Sequence, residues 1–78
     1  MTTQHYTKPT AVFCTGPESG GVDRNGVEYP EWYVFAGDDE AEPVGKSYTC
    51  RTFEGAVSLA RNMARDRRLP LELDASPA

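Results

Sequence analysis

Seventy-eight residues leave room for one hydrophobic core, which excludes a two-domain enzyme. An apolar fraction of 38% beside 26% charged residues excludes both outright disorder and a membrane-embedded chain. A formal charge of −4 argues against generic attraction to phosphate backbones, so any nucleic-acid role would need a local basic patch.

Met1 to Pro9 carry no periodic pattern and read as a flexible tail. Thr10 to Thr15 is β-branched and apolar and stops at Gly16-Pro17, which predicts a first strand. In the glycine-rich stretch from Gly16 to Pro30, Asn25-Gly26 suits a type I′ turn, so Val22 to Arg24 and Val27 to Tyr29 predict a small hairpin. Glu31 to Ala36 is the most β-prone run, with Trp32, Val34 and Ala36 on one face and Tyr33 and Phe35 on the other. Both faces are apolar, so this strand is either covered on both sides or offers Tyr33 and Phe35 to a partner. An acidic loop from Gly37 to Pro43 leads to a strand from Val44 to Arg51, on which Val44, Lys46, Tyr48 and Cys50 share a face.

Phe53, Ala56, Val57, Ala60, Met63 and Ala64 recur at intervals of three and four, predicting a helix from Phe53 to Arg67 with one buried stripe. Thr52 stands where a hydroxyl can cap an orphaned amide, Glu54 suits the positive end of the helix dipole, and Arg65, Arg67 and Arg68 suit the negative end. Pro70 halts the helix, and Leu69, Leu71 and Leu73 alternate with polar residues in a last short strand before a tail over residues 75–78. The order β-β-β-α-β predicts an α+β fold over residues 10–74, an antiparallel sheet of three to four strands with one helix packed on one face. The helix would cover Val12, Trp32, Val34 and Tyr48, leaving the opposite sheet face open.

Motifs for catalysis are sparse. His5 is the single histidine and falls in the N-terminal tail, while Cys14 and Cys50 read as small core hydrophobes. A Cys14–Cys50 disulfide requires neighbouring strands and an oxidising compartment. Met1 to Tyr6 has no charged region followed by an apolar stretch, and no segment approaches the roughly 18 apolar residues of a membrane span. A cytoplasmic location with reduced thiols and no membrane contact is therefore expected. The acidic loop lacks the residue order of a calcium site, and the glycines form neither a phosphate loop nor a dinucleotide fingerprint, so no metal, cofactor or catalytic residue is expected.

Charge is unevenly distributed. Residues 16–45 hold eight acids against Arg24, and residues 46–69 hold six bases against Glu54 and Asp66. Arg61, Arg65 and Arg68 form a cationic flank of the helix. The run Tyr48-Thr49-Cys50-Arg51-Thr52-Phe53-Glu54-Gly55-Ala56, followed by helix and then Leu69-Pro70-Leu71-Glu72-Leu73, resembles the strand, Thr-x-x-x-Ala helix start and final strand of small bacterial domains, including the N-terminal part of HicB-type antitoxins. In outline it is also similar to double-stranded-RNA-binding domains. The resemblance implies the fold of this segment and implies no activity.

The expected function is a small non-enzymatic interaction module that binds a protein partner or a second copy of itself. Tyr33 and Phe35 would be the anchors, with Asp38, Asp39, Glu40 and Glu42 of the acidic loop beside them. One form of this reading is an inhibitor or accessory protein of a phage or mobile element that docks on a basic surface by charge resemblance. The alternative is a nucleic-acid-binding domain that uses Arg61, Arg65 and Arg68.

Overall fold

The computed structural model describes residues 7–78, and the tail residues before Thr7, His5 among them, lie outside the described residues. The element order is β1 (Ala11–Val22), β2 (Glu28–Gly37), β3 (Pro43–Cys50), α1 (Phe53–Arg67) and β4 (Leu71–Ala75). The four strands form one sheet in the order β3-β2-β1-β4, and α1 packs across one face of it, an α+β fold. β1 pairs antiparallel with β2, and β2 antiparallel with β3, whereas β4 lies parallel to β1. The sheet is therefore mixed rather than wholly antiparallel. The reason is α1 itself, which carries the chain from the β3 edge across to the β4 edge, so that the last strand enters in the direction of the first.

Strand alternation builds the core. Val12, Cys14, Trp32 and Val34 face α1 and are buried, and they meet the stripe of Ala56, Ala60 and Ala64. Three alanines in the contact let the helix backbone sit close to the sheet, while Phe53, Val57, Met63 and Leu69 close the margins. Thr52 is the N-cap as expected: the Gly55 amide donates to Thr52 Oγ1 at 3.0 Å. At the other end Arg68 takes a left-handed conformation (φ 56°, ψ 46°), and its amide reaches the Ala64 and Arg65 carbonyls.

The glycine-rich stretch is ordered as β-structure. β1 runs on through it to Val22, and the Asp23 carboxylate closes the turn by accepting from the Asn25 and Val27 amides at 2.8 and 3.0 Å. The small hairpin expected around Asn25-Gly26 is thus the tip of one long β1–β2 hairpin. β4 pairs no further than Gly16↔Ala75, and β3 no further than Trp32↔Cys50. Residues 17–31 consequently form a two-stranded arm beyond the four-stranded body, with register shifts between Thr15 and Glu18 and between Ser19 and Val22. This arm helps to give the molecule its extents of 53 × 30 × 17 Å.

The end of the chain takes part in the fold. Ala75 belongs to β4, the Ser76 amide donates to the Gly16 carbonyl, and the Trp32 indole Nε1 donates to the Ser76 carbonyl at 2.9 Å. The tail expected from residue 75 is therefore tied to the sheet at its first two positions. Cys14 and Cys50 sit on β1 and β3, with β2 between them. Two strand spacings are about 9.5 Å, beyond the reach of a disulfide, and both thiols are free.

Candidate functional site: the open face of the sheet

The face of the sheet away from α1 carries Phe13, Tyr33 and Phe35, all half-buried. Phe13 and Phe35 are direct cross-strand partners with ring centroids 5.4 Å apart and planes 19° from parallel, a stacked pair. The Phe13 ring occupies the space over Gly37, where an added Cβ would lie 2.7 Å from it. Tyr33 stands opposite Thr15, and its hydroxyl donates to Glu31 Oε2 at 3.2 Å. No strand or helix among the described residues packs over these rings.

The strand registers set the surroundings of the aromatics. One row across the sheet reads Ser47, Phe35, Phe13, Glu72, and the next reads Thr49, Tyr33, Thr15, Asp74. Two exposed carboxylates of β4 thus border the aromatic centre on one side. Glu31 and Glu18, paired across β2 and β1, border it toward the arm. Arg51 is nearby but engaged, its guanidinium lying 3.8 Å above the centroid of Tyr29.

The Tyr33 phenol senses this negative surround. Desolvation first, then its hydrogen bond to Glu31, then the negative charges around it (Glu31, Glu18 and Tyr29), push its pKa above the ordinary tyrosine value. A raised folded-state value means that Tyr33 favours folding below the ordinary tyrosine pKa of about 10, and that this contribution is lost as pH rises through the folded value. Glu31→Gln is expected to lower the Tyr33 pKa, because it removes the carboxylate charge while leaving an amide oxygen that can still accept the hydroxyl. An NMR pH titration of the tyrosine ring carbons checks this, and an unmoved Tyr33 would mean that the carboxylate does not act on it.

The other expected residues are placed as follows. Asp38, Asp39, Glu40 and Glu42 lie in the β2–β3 turn, next to the Gly37 end of the aromatic pair; Asp38 is half-buried and the other three are exposed. Asp38 also has an internal task, since its Oδ1 accepts from the Glu40 and Glu42 amides at 2.9 and 3.0 Å and shapes the turn. Arg61 and Arg65 line a shallow groove along the helix, on the opposite side of the molecule from the aromatics. Arg65 is shared with Asn62 Oδ1 at 3.2 Å and Asp66 at 3.6 Å, while Arg68 supplies the helix cap.

Phe13 is the residue that the reading of the open face left out. Its signal was present in the strand period, because Val12 on the helix side places Phe13 on the other. Burial pushes both thiols above the ordinary cysteine value, with Cys50 adding to the rise at Cys14. Such thiols are poor nucleophiles. Among the described residues no group of three or more histidine, cysteine, aspartate or glutamate side chains could hold a metal ion, and no helix is long and apolar enough to cross a membrane. No family model matches the chain, and no curated protein or solved structure matches it either.

Proposed function

We propose that the chain is a non-enzymatic protein-interaction module that binds its partner through the open face of the sheet. The observation that carries this reading is the stacked Phe13–Phe35 pair, with Tyr33 beside it, on a face that no strand or helix among the described residues covers. Half-buried aromatic rings held on a rigid strand lattice offer contact area at little cost in conformational entropy. Elevated thiol pKa values and an arginine flank remote from the aromatics support binding over nucleophilic catalysis and over nucleic-acid recognition.

The test is affinity capture from a lysate of the source organism by the tagged chain, with and without nuclease, beside Tyr33→Ala/Phe35→Ala and Arg61→Glu/Arg65→Glu. A protein captured in the presence of nuclease and lost only with the aromatic variant is the expected result. Capture abolished by nuclease and by the arginine variant would instead move the function to the helix flank. Circular dichroism on each variant separates loss of binding from loss of fold.

A further inference from the structure

The occupant of the open face can be specified further, on the premise that this face is the binding site. Its size comes first. Four strands spaced about 4.8 Å apart and some five residues rising about 3.3 Å each give a face of on the order of 300 Å². A stable interface between globular proteins takes roughly 800 Å² from each partner, so this face suits a short segment better than a second globule.

Charge decides the kind of segment. Glu72 is in register with Phe13 and Asp74 with Thr15, Glu31 and Glu18 pair across the base of the arm, and the acidic turn beginning at Asp38 follows directly on Gly37. Carboxylates therefore flank the aromatic centre on three sides and outnumber the cations beside them, Arg51 stacked on Tyr29 and Lys8 next to Asp38, Asp39 and Glu40, while β3 presents the neutral Ser47 and Thr49. A second copy of the chain would bring these carboxylates against one another, in a protein whose formal charge is already −4.

We propose that the open face receives a cationic amphipathic segment of a partner protein. An apolar side chain of that segment rests on the Phe13–Phe35 stack, and its lysine or arginine side chains reach Glu72 and Asp74 along β4 and the Asp38–Glu42 turn. The aromatics supply affinity, and the acidic border supplies orientation and partner choice.

The experiment is a titration of the isotope-labelled full chain, followed by two-dimensional amide NMR, with three peptides of equal length: lysine–leucine, glutamate–leucine and serine–leucine, each amphipathic. The lysine–leucine peptide is expected to shift the amides of Phe13, Tyr33, Phe35, Glu72 and Asp74, and the glutamate–leucine peptide to leave them unmoved. Glu72→Lys with Asp74→Lys should weaken the lysine–leucine peptide about tenfold or more, as should raising the salt concentration. Both positions are exposed, and the milder Glu72→Gln with Asp74→Asn should give a smaller loss in the same direction.

Equal binding of the serine–leucine peptide, unaffected by the β4 variants, would overturn the cationic assignment while leaving the face as a binding site. No shift on this face from the lysine–leucine peptide would also overturn it, as would a concentration-dependent dimer of the chain itself centred on Phe13 and Phe35. Failure of the underlying reading shows separately, as capture from lysate that ignores Tyr33→Ala/Phe35→Ala.

Discussion

Trp32→Ala is expected to leave the chain largely unfolded at room temperature. Trp32 is 3% exposed and belongs to the buried cluster with Val12, Cys14 and Val34. Its ring meets Phe53 at 6.4 Å between centroids, and its indole N–H holds the Ser76 carbonyl. Removing such a side chain costs about 3–5 kcal/mol through lost burial and the cavity left behind. Roughly 0.05–0.15 kcal/mol per residue is available to a domain of this kind, and small domains sit toward the low end, so the loss takes most of the total. Trp32→Phe keeps an apolar ring and gives up the hydrogen bond, so it should remain folded with a lower urea midpoint. The chain has a single tryptophan, so unfolding must be followed by circular dichroism rather than by indole fluorescence. A Trp32→Ala variant with the wild-type midpoint would show that the contact between the start of α1 and the sheet contributes little.

Gly16→Ala is the second large effect, and it acts at the same place. Gly16 has φ 130°, and a Cβ there would meet the Glu31 carbonyl oxygen and Trp32 Cδ1, each at 2.9 Å. One neighbour is backbone and the other a buried ring, so neither can yield cheaply. Backbone strain of about 1–3 kcal/mol and the clash with the indole therefore fall together on the point where the arm leaves the four-stranded body. Gly26→Ala is the control: its φ is 76° at the hairpin tip, and nothing lies within 4 Å of an added Cβ. It should cost only the left-handed penalty of about 1–2 kcal/mol. Equal urea midpoints for the two variants would mean that the space around Gly16 is not limiting.

The helix was fully legible in the sequence because all of its determinants are local. The apolar period, the Thr52 hydroxyl and Pro70 each act within a few residues, and α1 runs over the expected span from Phe53 to Arg67. The two faces of β2 were legible for the same reason: alternation alone sends Trp32, Val34 and Ala36 inward and Tyr33 and Phe35 outward. The candidate site was legible only in part. Tyr33 and Phe35 follow from the period of one strand, whereas the Phe13–Phe35 stack depends on which strand lies beside β2 and in what register.

What the sequence by itself determined is therefore the set of elements, the helix and its cap, the inward and outward residues of the central strand, and the concentration of acids between residues 16 and 45. The tertiary structure places β4 parallel beside β1, which brings Glu72 and Asp74 to the border of the aromatic face, and places β2 between the strands that carry the two cysteines. It alone decided that Ser76 closes over Trp32, that Arg51 stacks on Tyr29, and that the glycine-rich stretch is an arm of the hairpin rather than a loop. The physical reason is sequence distance. Helix period and capping are satisfied by neighbours in the chain, while strand order and register are set by which distant apolar faces α1 can bury at once.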